Sequence, residues 1–341
     1  MGSCISTASS EIHSVHHGHE NVAYYENSDY ANDSQVRIGS IHSHQGSKGL
    51  NQDAAILYQG YGMEDGAFGG VFDGHGYNGH TVSKLVRNRL PSLLLNQMNA
   101  MVKFISSPKY NEKADGGDQA QFNKKFNKWK DAFLTSFKVM DKEIKLLENL
   151  DCSCSGTTAV VAVRQGEYLI VGNLGDSRAV LGTKSEDGIV PVQLTTDLKP
   201  GLPTEADRIR KCNGRVLALK EEPHIDRVWL PHDDSPGLAM SRAFGDFVLK
   251  NHGVIAIPEV SCHQLSENDL FLVLASDGVW DVLSNDQVTS IVSSTATEEA
   301  AAKAVVDASV AAWKQKFPNS KRDDCTVVCL FLKKQQPSIL T

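Results

Sequence analysis

No run of eighteen consecutive apolar residues occurs in this 341-residue chain, which excludes a helix long enough to cross a membrane. The N-terminus also lacks the basic segment and apolar core of a secretory signal. No Lys or Arg precedes Arg37, so no polybasic patch stands at the start. Nor is there a basic excess suited to nucleic acid: 34 Lys and Arg face 41 Asp and Glu, a net charge of −7. The seven cysteines are Cys4, Cys152, Cys154, Cys212, Cys262, Cys325 and Cys329, and no two are spaced C-x-x-C. That pattern implies neither a disulfide framework nor a zinc knuckle, and a reducing compartment fits it best.

What is present is an ordinary globular composition, 41% hydrophobic and 22% charged, on a chain long enough to bury a substantial core. Residues 1–35 read as a tail. Its opening, Met1-Gly2-Ser3-Cys4-Ile5-Ser6, matches M-G-x-x-x-[ST], the pattern for myristate on Gly2. One myristoyl chain binds a membrane only marginally, and Cys4 offers a palmitoylation site as the second anchor. The expectation is a chain attached peripherally to the plasma membrane, with cytoplasmic and nuclear fractions. Residues 7–35 are rich in Ser, Asn, Asp, Glu and His and read as disordered. His13, His16, His17 and His19 form a short tract there, better explained as solvated than as metal-binding. Residues 36–332 read as one domain without repeat or linker, and 333–341 as a short C-terminal tail.

Strand signals dominate the domain. Segments 157–163 and 168–172 predict a hairpin joined by Arg164-Gln165-Gly166-Glu167, with 177–182 returning as a third strand. Segments 270–275 and 326–332 predict further buried strands. Helical patterns cover 81–96, 127–149, 203–211 and 295–317, the last with Thr295 and Glu298 as a capping box. The polar stretch 106–123 reads as an inserted surface loop. Blocks of strands between helices imply stacked layers.

Aspartates recur where apolar strands end. Phe72 runs into Asp73-Gly74-His75-Gly76, Leu174 into Gly175-Asp176-Ser177-Arg178, and Ala275 into Ser276-Asp277-Gly278-Val279-Trp280-Asp281. Asp323-Asp324 precedes the final strand, and Asp53 precedes another short apolar run. Carboxylates packed together repel unless cations or protons intervene. Oxygen-only donors without a Cys or His cluster point to Mg²⁺ or Mn²⁺ rather than zinc. A single Asp of this kind is ordinarily a turn residue; four or five repeats of one arrangement are not so explained.

These motifs, with Met240-Ser241-Arg242-Ala243-Phe244-Gly245-Asp246 and Asp323-Asp324-Cys325-Thr326, resemble in identity and order the motif set of the PP2C (PPM) protein phosphatases. The resemblance covers roughly 36–332, and the acylation pattern together with 48–53 is most similar to the plant branch. It implies an α+β fold, an αββα sandwich of two antiparallel sheets flanked by helices. It implies a monomeric serine/threonine phosphatase acting on phosphoserine and phosphothreonine proteins, with kinases as further partners and a negative role in kinase signalling. The reaction would be metal-dependent, with two Mn²⁺ or Mg²⁺ per subunit sharing the attacking hydroxide, and a weaker third cation. Carried over by residue, Asp73 resembles the bridging carboxylate and Gly74 would offer its carbonyl. Asp277 and Asp323 would hold the second ion, and Asp53 would bind through water. Asp176 and Asp281 would serve the third, and His75 resembles the general acid. Lys48 stands where Arg is frequent, and attracts phosphate as a point charge. Gln52 stands in place of an acid, and Asp324 where many relatives have Asn. No cysteine opens a C-x5-R loop, so no phosphocysteine is implied. The reading from a different class is a pseudophosphatase that binds phosphoproteins or kinases without turnover. The acidic charge disfavours a metal-dependent nuclease.

Overall fold

The computed structural model describes residues 21–27, 37–105 and 118–332. Gly2, Cys4, the histidine tract and the 333–341 tail lie outside them. Within this range two large sheets stack. The first has strand order β1 (Val22–Glu26), β3 (Ala54–Gln59), β4 (Ala67–Phe72), β7 (Ala159–Gln165), β8 (Tyr168–Leu174) and β15 (Glu259–Gln264). The second runs β10 (Gly188–Gln193), β9 (Arg178–Ser185), β16 (Asp269–Ala275), β17 (Cys325–Phe331) and β2 (Gly39–His44). All pairings in the two sheets are antiparallel except β1 with β3.

Period-two alternation divides each strand between two cores. From β7, Val160 and Ala162 point between the sheets, where Leu57, Val71 and Val171 meet Leu181, Leu272, Leu274 and Val328. Ala159, Val161 and Val163 point the other way, against α1 (Gly79–Ile105) and α2 (Asp118–Lys145), whose Val86, Leu90, Phe133 and Phe137 are fully buried. The second sheet's outer face, with Val273 and Val327, packs on α5 (Asp277–Trp280), α6 (Asn285–Ser294) and α7 (Ala301–Lys316). Burial on both faces is why these strands read as continuous apolar runs. The expected αββα sandwich is therefore present.

A smaller unit sits beside it. The sheet β11 (Arg215–Ala218), β12 (Asp226–Trp229), β13 (Pro236–Leu238) shares a core with α3 (Pro203–Lys211) and with Leu249 of α4 (Phe247–Lys250). A two-residue-deep ladder of β5 (Gly74–His75), β6 (Gly156–Thr157) and β14 (Phe244–Gly245) ties the Asp73 turn to the segment ending at Asp246.

Four expectations need correction. Val22–Glu26 is a strand, so the stretch read as a structureless tail contributes an edge to the first sheet. Asp118–Asn123 belongs to α2, not to an inserted loop. The third strand, β9, crosses to the other sheet instead of extending the hairpin. The helix read over 295–317 is divided: Thr295 ends α6, a short 3-10 turn covers Glu298–Ala300, and α7 begins at Ala301. The capping box that forms is Ser284 with Gln287, at the start of α6.

Candidate active site

The aspartates gather because antiparallel pairing puts every relevant strand terminus at one end of the sandwich. Ala54 pairs with Phe72, which sets Asp53 beside Asp73. Ala159 pairs with Leu174, just before Asp176. In the second sheet Ala275 pairs with Arg178 and Val327, and Cys325 with His44. Asp277, Asp323 and the loop carrying Lys48 thus emerge at the same end. Asp277 opens α5 and Asp281, still helical in backbone, caps its C-terminus one turn later, so the two lie on one side of it. That short helix is clamped: the Trp280 indole donates to Ala275 O at 2.9 Å, the Trp313 indole to Gly278 O at 2.6 Å, and Arg178 stacks over Trp280 at 5.0 Å.

The basin is electrostatically strained. Asp73 and Asp277 are held well above the ordinary carboxyl range, first by removal from water and then by repulsion. Asp277, Asp53, Asp323 and Asp176 act on Asp73, and Asp176, Asp323 and Asp281 on Asp277. Burial and the charge of Asp324 push Asp53 up to about 7, although Ser276 Oγ donates to it at 2.8 Å. Asp176 is buried, with Oδ1 lacking any hydrogen-bond partner. Asp281 stands at the exposed rim. No three carboxylate or imidazole groups among the described residues close into a coordination sphere as they stand, although the aspartates are near enough to shift one another's titration. The two observations fit an open basin of mutually repelling oxygens. All-oxygen donors, an orphaned buried carboxylate oxygen and raised affinities for protons suit a hard divalent cation.

The adjacent acids at 323 and 324 have different surroundings. Asp324 accepts from the backbone N–H groups of Gly46 at 2.6 Å and Gln52 at 2.8 Å, so it ties two loops together. Asp323 instead faces the basin, ion-paired with Lys48, and its carboxylate charge reaches Asp73 and Asp277. Gln52 donates its side-chain amide to Gly76 O at 2.9 Å, a bond no carboxylate could make. A β-carbon at Gly74 would lie 2.4 Å from Gly79 O and 2.5 Å from Gln52 O, so glycine is required there by close backbone approach.

His75 stands at the edge of the basin. Its Nε2 lies 2.6 Å from Asp246 Oδ2, and its Nδ1 has no protein partner. Burial alone would lower the imidazole pKa, but the Asp246 carboxylate outweighs it and raises the value. Asp246 is 1% exposed and holds a left-handed backbone, φ +50°, rare outside glycine. The sequence reading included Asp246 in a motif but gave it no role. It also missed Lys199, 3.3 Å from Asp176, and Ser276. Asp246 and Ser276 lie in quoted motifs, whereas Lys199 sits in the loop between β10 and α3, which no quoted motif marks. Trp229 is 8% exposed and donates to Leu217 O at 2.9 Å, so it anchors the small sheet.

Fold and site together are those of a protein phosphatase: the family model "Protein phosphatase 2C" matches residues 38–315. The chain belongs to that family. It is 52% identical over 347 residues to probable protein phosphatase 2C 72 of Arabidopsis thaliana, covering 99% of this chain and 100% of that one. Probable protein phosphatase 2C 12 of Oryza sativa subsp. japonica is 46% identical over 365 residues, covering 97% and 92%. Among solved structures, serine-threonine phosphatase 2C from Toxoplasma gondii superposes with a TM-score of 0.71 at 28% identity, covering 86% of this chain and 94% of that one.

Proposed function

We propose that this protein hydrolyses phosphoserine and phosphothreonine in proteins, using divalent Mn²⁺ or Mg²⁺ held by Asp73, the Gly74 carbonyl, Asp277 and Asp323, with Asp53 acting through water. The observation that carries the reading is the gathering of these carboxylates from both sheets at one end, with Asp73, Asp277 and Asp53 held above the ordinary carboxyl range by burial and by one another's charge. Bound there, two cations would acidify a water and neutralise charge on the phosphoryl group. The chain's own residues do the rest. Lys48, 55% exposed at the basin's mouth, draws the phosphate in. Asp246 orients the His75 ring and favours its protonated form. His75 would then be the proton donor to the departing Ser or Thr oxygen. Opposition to kinase signalling follows from the chemistry. The test is turnover of a phosphothreonine peptide with and without Mn²⁺, in wild type, Asp73→Asn and Asp277→Asn. Loss of about 10²-fold or more in either variant, with an unchanged circular dichroism spectrum, is expected. Undiminished turnover at low metal would remove the assignment, and peptide binding without turnover in wild type would mark a non-catalytic binder.

We propose further that Gly2 and Cys4 are acylated and hold the protein on the plasma membrane. With no basic residue before Arg37, two lipids are needed for stable attachment. Imaging should show Gly2→Ala released to cytosol and nucleus and Cys4→Ser only weakly attached; identical diffuse distributions of all three would refute it.

A further inference from the structure

The acidic basin contains a cation supplied by the chain itself. Lys199 Nζ lies 3.3 Å from Asp176 Oδ2, and Asp176 is only 2% exposed. The other oxygen of that carboxylate, Oδ1, is buried without a partner. The charges of Asp281 and Asp277 also reach this ammonium. Burial would lower the pKa of Lys199, but the charges of Asp176, Asp281 and Asp277 together outweigh it and keep the lysine protonated.

The lysine is tethered firmly at its backbone and loosely at its tip. Leu198 N donates to Gly175 O at 2.9 Å, and Ser241 N donates to Leu198 O at 2.9 Å. The neighbouring Asp197 is gripped by Arg178 through two hydrogen bonds of 2.9 and 2.6 Å. The Lys199 side chain itself is 45% exposed, and Asp281 stands at the open rim. The ammonium therefore has somewhere to go, while Asp176 is buried beneath it.

Two cations cannot share Asp176 closely without repelling each other. We propose that Lys199 is an internal counter-cation that competes with a divalent metal ion for Asp176 and Asp281, so that a metal ion enters there only as the ammonium swings outward. The ammonium neutralises this corner of the basin when metal is scarce, and its competition makes metal occupancy here the weakest in the site. The proposal rests on reading the basin as a cation site, but its test does not require turnover.

The experiment is calorimetric titration of the metal-free full chain with Mn²⁺, with free Mn²⁺ counted by electron paramagnetic resonance. Lys199→Met keeps most of the aliphatic stem and removes the charge. The weakest class of bound Mn²⁺ should tighten by about tenfold or more in it. Lys199→Arg, which keeps the charge and guards against a folding failure of the neutral variant, should show no tightening. In an Asp176→Asn background the gain from Lys199→Met should vanish. Mn²⁺ affinity unchanged or weakened in Lys199→Met would overturn the proposal. So would tightening in Lys199→Arg, a gain that survives without Asp176, which would mark a general charge effect, or no Mn²⁺ binding by either wild type or Lys199→Met. Competition observed in a protein that fails to turn over phosphopeptide would leave the proposal standing and remove only the phosphatase reading.

Discussion

At the scale of single residues, Asp323 and Asp324 show how identical side chains acquire different work. Asp324 is committed to two backbone N–H groups, whereas Asp323 faces Lys48 and the basin. Asp323→Asn is therefore expected to lower phosphopeptide turnover by about 10²-fold and to weaken Mn²⁺ binding. Asp324→Asn keeps an acceptor oxygen for one loop contact and removes a charge that raises the Asp53 pKa. Its turnover should stay within about tenfold of wild type, its stability changing by about 1 kcal/mol because a lost hydrogen bond and a relieved repulsion oppose each other. Equal losses in the two variants, read by steady-state kinetics, would contradict the division of roles. Which acid is which was only half legible beforehand. Adjacent aspartates at a strand end alternate in direction, but the loop that claims Asp324 comes from residues 46 and 52, some 270 positions away. Gln52 shows the same limit: in sequence it looks like a missing acid, and in space it is a needed amide donor to Gly76.

At the scale of elements, sequence periodicity located the buried strands and α3 well, since those segments are bounded by glycine, proline and charged turns. It failed where long-range pairing decides. Val22–Glu26 is short, flanked by polar residues, and becomes a strand only by joining β3 in parallel, which no local pattern announces. The helix read over 295–317 was begun too early because Thr295 and Glu298 have the identities of a capping box, whereas Thr295 closes α6, a helix the reading did not include. The small sheet is joined to the body by an element-level device. Glu205 of α3 accepts from Nη1 and Nη2 of Arg208 and from Nε and Nη2 of Arg242, at 2.6 to 2.9 Å, and from Ser241 Oγ at 2.5 Å. Burial would raise its pKa, yet these bonds hold it at about 2. A carboxyl depressed on folding stabilises the native state above its unfolded pKa, about 4.3, and loses that contribution as pH falls toward 2. The contribution is on the order of 3 kcal/mol at neutral pH. Glu205→Ala, which removes the buried carboxylate between two guanidinium groups and leaves them their backbone carbonyl acceptors, should cost about 3–5 kcal/mol in urea unfolding at pH 7. The penalty should shrink in acid; one that is constant from pH 7 to about 3 would show that lost packing, not charge, is responsible.

At the scale of the whole molecule, the two sheets act as a frame that forces like charges together. The consequence is a pH dependence opposite in sign to that of Glu205. Burial and the charge of Asp324 hold Asp53 at about 7, and burial with neighbouring carboxylates moves Asp73 and Asp277 in the same direction. A carboxyl whose folded pKa exceeds its unfolded value binds protons more strongly in the native state, so stability falls as pH rises through that interval. For Asp53 the interval runs from about 4 to the folded value near 7. In EDTA, then, the melting temperature should fall between about pH 5.5 and 7, a range in which Glu205 remains ionised and contributes no slope. Saturating Mn²⁺ at about pH 8 supplies the missing positive charge and should restore stability by RT ln(1 + [Mn²⁺]/Kd), about 2.7 kcal/mol at a hundredfold excess over Kd. Cation and proton are alternative remedies for one strain, so Mn²⁺ should raise the melting temperature much more at high pH than at low. Asp53→Asn should flatten the EDTA profile, because one of the protonating groups is gone. Scanning calorimetry across this range, with EDTA and with Mn²⁺, decides the matter: an EDTA profile that is flat or rises with pH would mean that the basin carries no such strain.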